Sequence, residues 1–470
     1  MTAIVDSLNS ILWGYVLVYG LLGVGVFFTI RLGFLQFLNF GEMIRAIRGS
    51  RDSDVHGISP FQALCTSLAS RVGTGNLAGV AVALYLGGAG AIFWMWMVAL
   101  VGMATGYAES TLAQLYKVRD GKGQYRGGPA VYITKGLKAP WAGSIFAVCL
   151  ILSFGLVFNA VQANSIADAI QGAFGVPKIW VGIVIAVLAG IVIFGGLRSI
   201  VRFAELVVPL MAGIYVLIAL VIMAIHITEV PGVLMTIVKS AFGLEEAAGG
   251  AAGSITAAML NGIKRGLFSN EAGMGSAPNI AATATPAPHH PSSQGLVQAF
   301  GVFVDTIIIC TATAVMILLS GVMEPGSGIT GTQLTQDAMQ SHIGESGAYF
   351  IAIAILFFAF TSIVANYTYA ENALIHLGGD STIAITLLRS AVLGMVVWGS
   401  YEAVVTVFNA ADASMGLMAT INLIAIVMLS GTVVKLTKDY LAQRKQGEGP
   451  HFKSKDYPEL HEKIDGNIWH

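Results

Sequence analysis

Between Phe268 and Pro278 the chain reads Phe-Ser-Asn-Glu-Ala-Gly-Met-Gly-Ser-Ala-Pro, inside one long apolar segment. Gly273, Gly275, Pro278 and four polar side chains weaken helix pairing where lipid supplies no replacement hydrogen bonds. Such backbone persists at membrane depth only against protein or water. A second interruption, Val72-Gly73-Thr74-Gly75-Asn76, lies about 200 residues earlier, and two broken segments at equivalent places in two halves point to a secondary transporter's binding site. An unwound stretch exposes amides at the start of the following half-helix and carbonyls at the end of the preceding one. One end attracts anions, the other cations. A ligand with a carboxylate and an ammonium, balanced by a metal cation, fits two antiparallel broken helices; an amino acid plus sodium is the obvious pair. The plain alternative, glycines that let helices cross closely, suits Gly182 or Gly190 better than two polar glycine clusters in register.

The elements that must hold these breaks are membrane helices. The 470 residues are 55% hydrophobic and 11% charged, with mean hydropathy +0.75. Apolar runs long enough to cross roughly 30 Å of hydrocarbon recur along nearly the whole chain and leave no room for a sizeable soluble domain. The 56 glycines suit closely packed membrane helices. Cys65, Cys149 and Cys310 fall in apolar segments without metal-ligand spacing and read as reduced core residues. A net charge of -1 gives no sign of nucleic-acid binding.

Eleven spans are expected: a leader over residues 11–30, then two sets of five with corresponding members about 200 residues apart. The expected division is 1–56 for the leading helix and its cytoplasmic connector, 57–226 for the first five-helix repeat and 227–253 for an extracellular connector. Residues 254–436 form the second, inverted repeat, and 437–470 a cytoplasmic tail, expected to be mobile. An odd number of spans per repeat forces the copies into opposite orientations. With the N-terminus outside, nearly all loop and tail Lys and Arg lie in the cytoplasm, leaving Lys178 and Lys239 outside, as the positive-inside tendency requires. The start has no basic residues and no small-residue cleavage site, so the first helix is read as retained.

Three strings, Val-Gly-Thr-Gly-Asn-Leu-Ala-Gly-Val at 72–80, Gly-Ala-Ile-Phe-Trp-Met-Trp at 90–96 and Phe268–Pro278, resemble the alanine/glycine:cation symporter family over roughly residues 10–440. The resemblance implies a leucine-transporter-like inverted-repeat fold, sodium coupling and a small neutral amino acid as substrate. By the same resemblance, the amides near Thr74 and Gly75 hold the substrate carboxylate, with Asn76 beside them. The carbonyls of Ala69 and Val72 and the hydroxyls of Thr361 and Ser362 ligate sodium, and hard oxygens suit a hard cation. Gln162 contacts substrate, and Phe268, Ser269, Asn270 and Gly273 approach it from the second broken helix. Where many family members have Gly-Trp, this chain has Ala365-Asn366. Asn366 either enlarges a polar pocket for glutamine or a broad range of neutral amino acids, or is a packing substitution.

Ionisable groups within spans are costly and usually paired or functional. Lys264, Arg265, Glu271 and Asp305 are expected to neutralise one another; alternatively Glu271 or Asp305 carries a proton. Arg71 and Arg389 read as paired, and His289 and His290 as a solvated cytoplasmic turn. An intramembrane enzyme built from these acids and histidines is a remote rival, because the histidines lie beyond the membrane boundary. Channel and receptor readings lack the inverted repeat. The reading is therefore a sodium-driven importer in the cytoplasmic membrane of a prokaryote, with a small neutral amino acid, sodium and the bilayer as partners and no obligate protein partner.

Overall fold

The breaks arise where helix hydrogen bonding runs out of suitable residues. In a computed structural model, which describes residues 2–49, 51–244, 255–324, 326–447 and 449–469, Ser59 and Gln62 form a capping box and Pro60 takes the first helical position, a strong helix start. That helix, α2 (Pro60–Arg71), stops at Val72, and α3 (Gly75–Gly87) resumes after it. In the second break, α8 (Ile255–Asn270) ends where the Asn270 side chain accepts the Ala272 amide at 3.0 Å. Gly273 and Gly275 then take φ of 87° and 83°, which glycine adopts without a Cβ clash. Glu271 also has positive φ, 60°, and α9 (Pro278–Ala281) restarts the helix.

The remaining spans are α1 (Val5–Arg31), α4 (Gly90–Leu115), α5 (Pro140–Phe174), α6 (Lys178–Phe194), α7 (Gly196–Ile225), α10 (Pro291–Ser320), α11 (Ser346–His376), α12 (Thr382–Tyr401) and α13 (Val404–Met428). Eight described helices are long and apolar enough to cross a membrane. The two broken helices and the shorter α6 take the other places in the expected plan. α4 packs on α10, α5 on α11 and α6 on α12: the second, third and fourth members of one five-helix set each meet their counterpart. The protein is predominantly helical and polytopic, with one short antiparallel strand pair, Val118–Arg119 with Tyr125–Arg126, and with the two broken helices that the family resemblance implies.

Three expectations need correction. By hydropathy alone the last span is expected from Met415 to about Val434; it begins at Val404. It begins earlier because Asp412, which counts against a span in hydropathy, is neutralised by Lys264 and Arg265. The boundary at 436/437 falls inside α14 (Ser430–Lys445), and the tail beyond is docked rather than mobile. Its apolar residues converge: Phe452 and Trp469 are fully buried, Trp469 Nε1 donates to the Leu115 carbonyl at 3.0 Å and the Phe452 amide to the His289 carbonyl at 2.8 Å. His290 is likewise buried rather than solvated. It caps α10 through the Ser292 amide and faces Asp439 at 3.1 Å. Of the 227–253 connector, Val230–Ala241 is helical and 245–253 lie outside the described residues.

Candidate transport site

The two breaks meet. A Cβ on Gly75 would stand 3.1 Å from both Phe268 and Ser269, so no larger residue fits without moving the other break. Gln162, on α5, reaches the first break: its Oε1 accepts the Thr74 amide at 3.0 Å. The Gly73 amide donates to Asn76 Oδ1 at 2.9 Å. Thr74, Asn76 and Ser269 are fully buried and Gln162 is 3% exposed, so the site is sealed. Thr74, Gly75, Asn76, Gln162, Phe268 and Ser269 thus form one cluster, presenting amides and a side-chain amide.

Beside it, Ser362 Oγ donates to the Ala69 carbonyl at 2.9 Å, with Thr361 Oγ1 at 3.5 Å from the same oxygen. A Cβ on Gly73 would lie 2.3 Å from Ser362 Oγ, so the Ser362 hydroxyl also abuts the first break, one residue beyond Val72. Carbonyl and hydroxyl oxygens suit sodium and would swap these hydrogen bonds for metal bonds. The oxygens gathered at this spot, the Ala69 carbonyl and the Ser362 and Thr361 hydroxyls, are all neutral.

Three predicted residues sit differently. The Gly273 amide donates to Glu109 at 3.1 Å and its carbonyl accepts from Asn422 at 2.9 Å, so this glycine faces α4 and α13. Asn270 donates to Thr306 at 3.2 Å and closes its own helix end. Asn366 donates to Asn159 Oδ1 at 3.0 Å and receives Ser70 at 2.6 Å. It therefore lies next to the cluster with both side-chain ends engaged.

The expected mutual neutralisation of Lys264, Arg265, Glu271 and Asp305 does not form. Both cations go to Asp412, Lys264 at 2.6 Å and Arg265 at 2.6 Å. Asp305 instead accepts from Asn76, Ser269 and Thr306 at 2.7 to 2.8 Å. Glu271 contacts Ser70 and Ser276 at 2.7 and 2.5 Å. Arg71, 2% exposed, bonds the Gln298 carbonyl at 3.2 Å. Arg389 is paired, its guanidinium 4.0 Å from the Glu371 carboxylate and its Nε donating to the Tyr367 hydroxyl at 2.9 Å. Over the cluster, Phe158 stacks on Phe268 and Phe268 on Phe408, with Arg265 against the last two rings. The Arg265–Asp412 pair and these rings form a closed lid on one side.

Glu109, Asp412, Ser70 and Asn422 were missed in the sequence. Glu109 and Asp412 carried a usable signal, an acid inside an apolar helix. Ser70 and Asn422 carried none, since single small polar residues are common in membrane helices.

A model described as the sodium:alanine symporter family matches residues 1–454. The amino-acid carrier protein AlsT of Bacillus subtilis is 53% identical, over 97% of this chain and 96% of its own. The probable sodium/glutamine symporter GlnT of the same species is 48% identical over 96% and 92%. The sodium/alanine symporter AgcS of Methanococcus maripaludis is 40% identical over 94% and 98%.

Proposed function

The chain belongs to the sodium:alanine symporter family, and from that premise we propose that it imports a small neutral amino acid, alanine or glycine, with sodium across a prokaryotic cytoplasmic membrane. The observation that carries this reading is the meeting of the two breaks, with Gln162 on the Thr74 amide and the hydroxyls of Thr361 and Ser362 on the Ala69 carbonyl. The substrate carboxylate takes the amides of Thr74 and Gly75, displacing Gln162, which then serves the other polar end. Sodium binds between the Ala69 and Val72 carbonyls and the two hydroxyls. Ion and carboxylate bind close together, so each offsets the other's charge and neither binds well alone.

Alternating access opens the sealed cluster to one side at a time. With the N-terminus outside, as the basic loops favour, the Arg265–Asp412 lid closes the outer side. The docked tail and the Lys117 contact with the Ala284 carbonyl, at 2.9 Å, close the inner one. A monovalent cation crossing 100 mV contributes about 2.3 kcal/mol and a tenfold gradient about 1.4 more, enough for accumulation of several hundredfold. Transport requires no bond to be made or broken in the substrate.

Glutamine is the alternative substrate, suggested by the likeness to GlnT. Asn366 does not favour it, because its amide is already committed to Asn159 and Ser70. Labelled alanine and glutamine uptake into proteoliposomes under sodium, potassium or proton gradients tests both readings. Sodium-driven alanine uptake is expected; uptake driven only by protons would remove the sodium site.

A further inference from the structure

Ser70, Glu271 and Asn366 come from α2, the second break and α11, and they meet in the sealed interior. The Ser70 hydroxyl oxygen stands 2.7 Å from Glu271 Oε1 and 2.6 Å from Asn366 Oδ1. Both are hydrogen-bond distances, yet a hydroxyl owns one proton. With Glu271 ionised, both neighbours are acceptors, and one contact sets bare lone pairs together.

Turning the asparagine amides does not relieve this. Asn159 Nδ2 donates to the Gly155 carbonyl at 3.1 Å, and a carbonyl can only accept. Asn159 therefore shows its oxygen to Asn366, which must answer with Nδ2 and leave Oδ1 for Ser70. Exchanging the ends of Asn366 alone opposes two oxygens at 3.0 Å; exchanging both residues opposes Asn159 to the Gly155 carbonyl. A shared cation does not fit either. Metal–oxygen distances of about 2.4 Å hold ligand oxygens roughly 3 Å or more apart, wider than the contacts to Ser70. The other four buried acids among the described residues differ: Asp305 faces three donors, Asn76, Ser269 and Thr306, Glu109 accepts from the Gly273 amide and Asn422, Asp412 meets Lys264 and Arg265, and Glu371 meets Arg126 and the Tyr367 hydroxyl. Among the buried acids of the described residues, a proton is missing from the count at Glu271 alone.

We propose that Glu271 is a proton-binding site, occupied in this arrangement of the two broken helices. The neutral acid donates from Oε1 to Ser70, Ser70 to Asn366, Asn366 to Asn159 and Asn159 to the Gly155 carbonyl, while Ser276 donates to Glu271 Oε2 at 2.5 Å. Each contact then has one donor and one acceptor. The charged and titratable groups around Glu271 are Arg71 on α2, Glu109 on α4, Asp305 on α10 and Tyr369 on α11. One guanidinium faces three carboxyl groups, and a proton on one of them reduces the like-charge excess. Given the symport reading, parting α2 from the second break during alternating access takes Ser70 away from this proton and admits water to Glu271, and water carries the proton off as the site opens.

Infrared difference spectra of the substrate-free protein at neutral pH test the site. Wild type minus Glu271→Gln should show a protonated-carboxyl C=O band that shifts in heavy water. Ser70→Ala should move that band, because the acid loses its acceptor, and this keeps the test alive should Glu271→Gln not fold. Absence of the band in the wild type, or a band that neither substitution changes, overturns the proposal. The spectra require no transport, so failure of the symport reading would leave them readable.

Discussion

Gln162 Oε1 accepts the Thr74 amide at 3.0 Å, so a side chain of α5 occupies a donor at the very start of the second half of the first broken helix. A carboxylate binding there must displace it. Gln162→Glu makes the occupant an anion, which holds the amide more firmly and repels the substrate carboxylate. KM for alanine should rise about tenfold or more, the equivalent of roughly 1.4 kcal/mol. Unchanged KM would mean that substrate does not use this amide.

Ser362 and Thr361 both approach the Ala69 carbonyl. Ser362→Ala or Thr361→Val should raise the sodium concentration for half-maximal uptake several-fold, with a smaller effect on alanine affinity at saturating sodium. Identical sodium dependence in both variants would move the cation elsewhere.

Gly73 has no room for a side chain: a Cβ would lie 2.3 Å from Ser362 Oγ and 2.8 Å from Gln162 Oε1. Gly73→Ala should abolish alanine uptake while the protein still reaches the membrane, because the clash sits between the proposed sodium and carboxylate positions. Wild-type uptake in this variant would contradict the close approach.

Asp412 balances Lys264 and Arg265. Removing one partner of a buried ionic group costs about 3–5 kcal/mol, so Asp412→Asn should lower the melting temperature in detergent and loosen the lid over Phe268. In a protein keeping Cys310 as its sole cysteine, a charged thiol reagent should then modify Cys310 faster than in the same background with Asp412. Cys310 reports on the site because its sulfur lies 3.2 Å from Ser269 Oγ and 3.4 Å from Asn76 Nδ2. Equal rates would show that the pair is structural and not part of a lid.

Burial pushes the His290 imidazole below its ordinary pKa, against the pull of the Asp439 carboxylate. The folded protein thus keeps His290 neutral, while the unfolded chain takes up a proton first as pH falls. Its contribution to stability is complete above about pH 6.5 and declines below it, towards the depressed folded value. Hydrogen exchange of residues 449–469, corrected for intrinsic rate, should show protection level above about pH 6.5 and falling below it, and a flatter profile in His290→Phe. A profile the same in both proteins would detach His290 from tail docking.

The sequence by itself determined the class, the helices and the two breaks. Lipid compels apolar runs to become helices, and Gly273, Gly275 and Gly73 stand where polar, small residues interrupt those runs, so local composition carries the information. It also marked Gln162, Thr74, Ser269, Thr361 and Ser362, which the fold brings to two adjacent spots. The tertiary structure alone decided who pairs with whom. Lys264 and Arg265 turn to Asp412, more than a hundred residues away, instead of Glu271, a turn or two further along their own segment. The choice of partner follows from which face of α8 meets α13, and single-sequence hydropathy records no face-to-face geometry. The tail shows the same limit from the other side: its charges suggested a free segment, while Phe452 and Trp469 find a prepared surface beside His289 and Leu115. The proton count at Glu271 is further still from the sequence, because it depends on Ser70, Asn366, Asn159 and the Gly155 carbonyl standing in one line of hydrogen bonds, drawn from three helices.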